Sequence, residues 1–287
     1  MSVIGQEGFI MSTAKSTGNK VRVLVECAVM VALATVLSLV KLYDLPYGGS
    51  VTAASMLPIL IIAYRHGVGV GLGTALVYGV VQQLLSLKTL SYVTTWQSIV
   101  AVIMLDYIAA FAVIGLGGIF RKKGRSAANA LLWGGLFVCV LRYICHVISG
   151  ATVWAGISIP TKAALVYSLS YNATYMLPET VILLAVTVYV ASVLDFDAEI
   201  PVRTKNKGAD PVALVLPAVG GLCIAGAIVF DAVKILPLMQ DAESGEMRFE
   251  LLANVNYIPV IIVSAICVVL AAVCFIVAGA RKNSKKA

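Results

Sequence analysis

The sequence predicts an all-α protein that crosses a membrane several times. Hydrophobic residues make up 60% of the chain and charged residues only 12%, and the mean hydropathy is +0.97. Several apolar runs reach the roughly 20 residues that a bilayer-spanning helix requires. The net charge of +7 does not indicate a nucleic-acid partner, because the basic residues lie in short loops between the apolar runs. In such loops they orient a protein in the lipid bilayer.

The apolar runs predict eight spans. We expect the second span, the shortest, to pack against protein on most sides. The third is rich in glycine, which suits close contact between helices. The eight spans lie at roughly residues 22–40, 51–64, 67–87, 98–119, 127–150, 164–194, 212–237 and 256–280.

The distribution of lysine and arginine predicts the orientation in the cell membrane. With the N-terminus inside, most of the 21 basic residues fall in cytoplasmic segments, as the positive-inside rule requires. An even number of spans then places both termini in the cytoplasm.

A change in composition at 195–211, which is charged and contains proline and glycine, divides the chain. The polar residues inside spans are concentrated before this point. The predicted units are a cytoplasmic N-terminal segment at 1–21, a six-span substrate-binding bundle at 22–194, a charged cytoplasmic linker at 195–211, a two-span hairpin at 212–280 and a basic cytoplasmic tail at 281–287.

The chain offers no recognisable enzyme chemistry. Its six cysteines lie in apolar segments without CxxC spacing, which favours packing roles over a metal site or a disulfide framework. No nucleophile–base pair stands out, and there is no P-loop sequence. We therefore expect neither a catalytic residue, nor a cofactor, nor a bound metal.

Polar and aromatic residues of three predicted spans and their loops converge in the outer third of the membrane. Ionisable groups inside a bilayer are costly, so each raises a functional question. Asp106 lies roughly 12 Å from the outer start of span four, and His146 roughly 6 Å from the outer end of span five, at helical rise. Tyr167 and Asn172 begin span six, and Trp96 and Trp154 lie in the adjoining outer loops.

The segment RYICHVISGATVW at 142–154 is central to this set. His146, Gly150 and Trp154 have i, i+4 and i+8 spacing and so share one helix face. With the Asp106 carboxylate, they predict a site for a flat organic cation. Structural roles are the alternative: the histidine bonds a neighbour, the glycine packs a helix, the tryptophan anchors at the interface, and Asp106 pairs with Arg142.

Glu179, which follows Pro178 near the middle of span six, has two equal interpretations. It is either a hydrogen-bonding residue associated with the proline kink or a deeper residue of the site.

Four stretches resemble the thiamine-specific substrate-binding (S) components of energy-coupling factor (ECF) transporters, over about residues 20–195. They are LDYIAAFAVIGLGGIFRKK at 105–123, RYICHVISGATVW at 142–154, VYSLSYNATY at 166–175 and the run from Tyr47 to Val80 that contains LPILIIAYRHGVGVGLGTALVYGV. The resemblance implies a six-helix S-component bundle, here followed by the two-helix hairpin. Such a bundle binds thiamine tightly in an outward-facing pocket and has no catalytic activity. A transmembrane coupling subunit and two ATPase subunits drive uptake.

The resemblance also implies roles for individual residues. Asp106 would meet the cationic thiazolium ring, with Tyr107 as the adjacent pocket tyrosine. The remaining binding residues would be His146, Gly150, Trp154, Tyr167, Asn172 and, from an outer loop, Trp96. An AxxxA motif formed by Ala28 and Ala32 would dock the coupling subunit, and small residues at that spacing independently suit close helix approach.

Three departures from the family pattern leave a related vitamin or precursor as an alternative ligand. The family's glutamate is the shorter Asp106. A lid tryptophan expected just after Tyr47 is replaced by Gly48 or Gly49, so the first outer loop must cap the ligand differently. The hairpin at 212–280 has no counterpart in the six-helix unit.

An ion-coupled secondary transporter of an organic cation is the second functional class. It would use Asp106, His146 and Glu179 as proton carriers, although no convincing internal repeat supports it. Copurification with ATPase subunits would favour the S component, whereas uptake by the isolated protein in a proton gradient would favour the secondary transporter.

Overall fold

The computed structural model describes residues 3–45, 48–93, 95–121, 126–154, 159, 161–204, 210–239 and 249–284. Its long elements are helices, and two short antiparallel strand pairs join them. The elements are α1 (Val3–Leu39), β1 (Lys41–Asp44), β2 (Ser50–Thr52), α2 (Leu57–His66), α3 (Val68–Leu85), a 3₁₀ segment (Leu87–Tyr92), α4 (Trp96–Val102), a π-helical segment (Ile103–Ala109), α5 (Ala110–Ala112), a second 3₁₀ segment (Val113–Phe120), α6 (Ala127–Thr152), α7 (Lys162–Val193), β3 (Leu194–Asp195), β4 (Val202–Arg203), α8 (Pro211–Met239), a third 3₁₀ segment (Phe249–Asn254) and α9 (Tyr257–Ser284).

Seven helical segments among the described residues are long and apolar enough to cross a membrane. The predicted all-α polytopic membrane protein is therefore confirmed. The predicted second span differs from the other seven, since α2 has only 10 residues and is too short to cross a bilayer as a helix. The strand β2 and a mostly buried turn lead into this helix.

The first six passes alternate between two ends of a bundle. One end, the β1–β2 end, gathers the C-terminus of α1, both strands and the C-terminus of α3. At the other end, the Arg65 end, Arg65 contacts Glu26 of α1 and Phe196 beyond α7, and Arg121 reaches the Arg65 carbonyl. The division of the chain into five units stays a prediction, but this alternation agrees with six passes before residue 195.

The short helix α2 occupies the centre of the bundle, as expected for the second span. Every residue from Leu57 to Tyr64 is buried, and α2 contacts α1, α3, α6 and the second 3₁₀ segment. A helix that is apolar on all sides is stable only when other helices surround it.

Hydroxyl residues fix the starts of three helices. Thr95, Ser126 and Thr161 each accept a hydrogen bond from the backbone N–H three residues ahead, at 3.2, 3.3 and 3.1 Å. Such N-caps satisfy donors that the first helical turn leaves without a partner. They define the first residues of α4, α6 and α7, which carry most of the predicted site.

Close backbone contacts join the second 3₁₀ segment to its neighbours. A Cβ on Gly134 of α6 would lie 2.7 Å from the carbonyl oxygen of Gly117, a separation that forces the backbones apart. The expectation that glycines of the third span serve close contact holds for Gly71 and Gly79, whose added Cβ would meet neighbouring atoms. It does not hold for Gly67, Gly69 and Gly73, where a Cβ would meet nothing within 4 Å.

The last two helices, α8 and α9, pack against each other, and α8 also packs along α7. Asp231 of α8 accepts hydrogen bonds from the Ser264 hydroxyl of α9 at 2.8 Å. Arg281, near the end of α9, donates to Asp210, which precedes α8, at 2.9 Å. An antiparallel pair follows from these two contacts.

Part of the predicted 195–211 linker is folded against the Arg65 end. The Arg65 guanidinium donates to the carbonyl oxygens of Phe196, Ala198 and Glu199, and Tyr64 donates to Asp197 at 2.8 Å. The charged composition of this stretch gave no sign of this anchoring, because most of the hydrogen bonds are accepted by its backbone carbonyls. Residues 205–209 lie outside the described part of the chain.

We predict opposite effects for two glycine-to-alanine substitutions. Gly134→Ala should lower the stability of the purified protein by about 1–3 kcal/mol, the typical cost of an overpacked contact. Gly73→Ala, with open space around its Cβ, should raise it by about 0.5–1 kcal/mol through reduced backbone freedom of the unfolded chain. Thermal unfolding in detergent measures both, and equal shifts would contradict this account of the packing.

Candidate functional site

A cavity of about 620 Å³ lies at the β1–β2 end of the bundle, within the range typical of small-molecule sites. Its walls come from the end of α1, the β1–β2 pair, the end of α3, the π-helical segment, α6 and α7. Residues far apart in the sequence therefore face one space.

Asp106 is only 7% exposed, and its carboxylate has more hydrogen-bond partners than any other acidic group that lines the cavity. Its Oδ1 lies 2.7 Å from Nδ1 of His146. Its Oδ2 accepts from the Ser149 hydroxyl at 2.6 Å and from the Trp154 indole N–H at 3.2 Å. A buried carboxylate needs such donors, and all three come from the end of α6 and the turn after it.

The π-helical segment Ile103–Ala109 presents Asp106 and Tyr107 to the cavity. A π-helical turn shifts the direction of side chains relative to an α-helix and is frequent at functional sites. Tyr107 is buried, and its ring stacks on Phe111 with centroids 6.4 Å apart. Apolar periodicity gave no sign of this irregularity.

Asp106 does not pair with Arg142, so that structural alternative is wrong. Arg142 instead lies 3.6 Å from Glu179 of α7, with its guanidinium 4.6 Å above the Phe111 ring. Glu179 also accepts a hydrogen bond from the Thr52 hydroxyl of β2 at 2.8 Å. Arg142, Glu179 and Thr52 all line the cavity, which favours the interpretation of Glu179 as a deeper residue of the site.

Aromatic residues of α7 form one wall. Tyr167, Tyr171 and Tyr175 follow each other at four-residue spacing, with ring centroids 5.7 Å apart for the first pair and 6.3 Å for the second. Asn172 is buried beside them and accepts from the Tyr175 hydroxyl at 2.7 Å. The same face continues to Glu179, so the wall extends about 18 Å from Tyr167 at helical rise.

The connection between β1 and β2 covers part of this wall. Tyr171 donates to the Gly48 carbonyl at 2.8 Å. Gly49 has a φ of +88° and packs so closely on Tyr175 that a Cβ would lie 2.6 Å from the ring. Gly48 and Gly49 thus stand where the resemblance led us to expect a lid tryptophan, and they contact tyrosines of α7. Pro46 and Tyr47 lie outside the described residues.

The structure brings together seven of the eight predicted binding residues around one cavity: Asp106, Tyr107, His146, Gly150, Trp154, Tyr167 and Asn172. His146 and Gly150 of α6 and Trp154 in the turn after it all face this cavity, and their role in binding stays a prediction. Trp96 is 71% exposed and is not among the residues that line the cavity, so its assignment gains no support.

Sequence reasoning missed Ser149, Ser168, Tyr171 and Tyr175. The two tyrosines lie four and eight residues after Tyr167, so helical spacing could have found them. Ser168 could not be found this way, because its role depends on Gly150: a Cβ there would run into the Ser168 hydroxyl. Gly150 thus lets α6 and α7 approach at the cavity wall.

This arrangement suits a flat organic cation. A desolvated carboxylate and aromatic rings both attract positive charge, and the rings offer surfaces for stacking. Within the described parts of the chain, no group of three or more His, Cys, Asp or Glu residues could hold a metal ion.

Comparisons with known proteins also indicate a site for an organic cation. The family model described as "Thiamine transporter protein" matches residues 24–195. The thiamine transporter ThiT of Bacillus subtilis (strain 168) is 39% identical over 170 residues, which cover 55% of this chain and 84% of that protein. The residues that the family model matches include every residue lining the cavity and end before α8.

Proposed function

This chain belongs to the thiamine transporter protein family, and we infer that it binds thiamine in the cavity around Asp106 for uptake into the cell. It is a multi-pass membrane protein and a transporter, not an enzyme. We further propose that it is an S component whose outward-facing cavity is loaded from outside and whose transport cycle is driven by ECF partner subunits.

The carboxylate of Asp106 carries this proposal. Thiamine contains a permanently cationic thiazolium ring, and an acidic group surrounded by protein rather than water interacts with it more strongly than one in bulk solvent. Three hydrogen bonds hold Asp106 in position. Those donors and the cavity position support a binding role over a packing role.

The aromatic residues support the choice of a flat ligand. Trp154, Tyr107 and the tyrosines of α7 line the same space as Asp106. Asn172 and His146 add hydrogen-bonding groups that can orient the ligand. His146 keeps one ring nitrogen, Nε2, that is buried and has no hydrogen-bond partner among the described residues, which is consistent with a role toward a bound molecule.

The source of energy must lie in partner proteins under this proposal. The sequence contains no P-loop, so a coupling subunit and two ATPase subunits would supply the transport step. Ala28 and Ala32 are both exposed on α1, one turn apart, as a docking face requires. The exposed alanines allow another helix to approach closely.

Titration with thiamine should quench the fluorescence of Trp154, which lines the cavity and can contact the aromatic ligand. Trp96→Phe should keep the quench, because Trp96 is mostly exposed. Trp154→Phe should lose most of it. The absence of any response to thiamine in well-folded wild-type protein would refute the ligand assignment.

Asp106→Asn should weaken thiamine about ten- to a hundredfold, since a hydrogen bond to a charged group is worth roughly 1.5–3 kcal/mol. A neutral thiamine analogue with a thiophene ring in place of the thiazolium should lose little affinity. Calorimetric titration of both ligands, with thermal unfolding as a folding check, measures the difference. Equal losses would assign Asp106 a structural role.

We propose that both termini are cytoplasmic, as the basic loops indicate. A cysteine introduced at Lys123 or Lys285 should react with a membrane-permeant maleimide only, whereas one at Ser244 should also react with an impermeant reagent in intact cells. Labelling of position 123 from outside would overturn this orientation.

Replacing Ala28 and Ala32 with leucine should abolish transport by the assembled complex while thiamine binding stays within about twofold. Both residues lie away from the cavity-lining set. The matched control is Ala272→Leu, an exposed position of α9 outside the family match, scored for expression and uptake. Transport that survives the double substitution would place the docking face elsewhere, and uptake by the isolated protein in a proton gradient would favour the secondary transporter.

A further inference from the structure

We propose that the buried pair Arg142–Glu179 sets the balance of buried charge in the cavity, so that a single buried negative charge remains and the cavity selects monocations. This inference rests on the proposed function, because it concerns the ligand bound beside Asp106. It assigns Glu179 and Arg142 a role in specificity rather than in direct contact with the thiazolium ring.

Apart from tyrosines, three buried ionisable side chains line the cavity, whereas its other Lys and Asp residues, Lys41, Asp44 and Lys88, are exposed. Asp106, Arg142 and Glu179 are 7%, 5% and 4% exposed, and all three line the cavity. Arg142 lies one helical turn from His146 on α6, about 6 Å along the axis. It therefore lies next to the hydrogen-bonded group around Asp106 and brings a positive charge to a site that must accept a cation.

Glu179 is the compensating charge for Arg142. The carboxylate lies 3.6 Å from Nη1 of Arg142. The other described neighbours of the guanidinium are neutral: the Met56 sulfur lies 2.6 Å from Nη1, and the Phe111 ring lies beneath the group. With both carboxylates ionised, the pair cancels and the charge of Asp106 remains.

The pair is poorly suited to a purely stabilising role. A buried ion pair gains little stability over apolar residues of similar volume, because both charges must be desolvated. Its geometry also leaves Nε of Arg142 buried without a hydrogen-bond partner among the described residues. Facing the cavity, however, the pair acts on any charge that enters, since Coulomb forces are strong where water is excluded.

The test compares thiamine with its neutral thiophene isostere in the full-length protein. Three variants form a cycle: Glu179→Gln removes the negative charge, Arg142→Met removes the positive charge, and the double variant removes both. Glu179→Gln leaves a positive charge in the cavity and should weaken thiamine at least about tenfold. Arg142→Met leaves an additional negative charge and should tighten thiamine binding by about tenfold. The double variant should return thiamine affinity to within about threefold of wild type.

The neutral isostere should change by less than about threefold throughout the cycle. Glu26→Gln is the matched control, because Glu26 pairs with Arg65 at the opposite end of the bundle. It should change the unfolding temperature without changing the ratio of the two affinities. If Glu179→Gln does not fold, the step from Arg142→Met to the double variant decides, since thiamine affinity should fall along it.

Two results would overturn the inference. One is a parallel loss for thiamine and the isostere in both single variants; the other is no opposite effect of the two charge removals on thiamine. The proposed function has its own readout in the same experiment: wild-type protein that fails to bind thiamine refutes the ligand. If wild-type protein binds thiamine but none of the three variants changes the thiamine affinity, only the role of the pair is refuted.

Discussion

A carboxylate buried inside an apolar helix bundle has to be surrounded by hydrogen-bond donors, and the architecture of the β1–β2 end follows from meeting this requirement at Asp106. The donors are His146, Ser149 and Trp154. They lie in one nine-residue stretch that comprises the end of α6 and the turn after it. They fix how α6 lies against the π-helical segment. The three hydrogen bonds hold the carboxylate in one position. Its negative charge faces the cavity, where a cation can interact with it.

The cavity can persist because the packing elsewhere is tight. At the Arg65 end, backbones meet at glycines, and α2 is enclosed on all sides. Interiors of proteins are close-packed, so an open space of this size requires stiff walls. Glycines also allow close packing at the cavity: Gly150 lets α7 approach α6, and Gly49 lets α7 approach the β1–β2 connection. Because the backbones meet at these glycines, the tyrosine rings of α7 and the Asp106 carboxylate line the open space.

The sequence predicted the membrane-spanning architecture and most of the cavity lining, since these depend on local patterns. Apolar runs identify spans, and helical spacing put His146, Gly150 and Trp154 on one wall. The partner of Arg142 could not be predicted this way: Asp106 was the expected candidate, and the relative rotation of α6 and α7 brings Glu179 to Arg142 instead. Two further features depend on backbone geometry and could not be predicted from residue patterns. They are the π-helical turn and the hydrogen bonds from Arg65 to the segment 196–199. Trp96, which the resemblance assigned to the site, begins α4 and does not line the cavity.

The helix α7 links the cavity to the part of the chain beyond the family match. One face carries Tyr167, Tyr171, Tyr175 and Glu179 toward the cavity, while Ala185 meets Gly221 of α8. None of the described residues of α8 and α9 lines the cavity, so their influence on it must pass through α7 or through the segment held by Arg65. A helix that is packed on both faces has little freedom to rotate. Since Glu179 reaches Arg142 from this helix, the rotation of α7 that α8 restrains is also the rotation that keeps the two charges together.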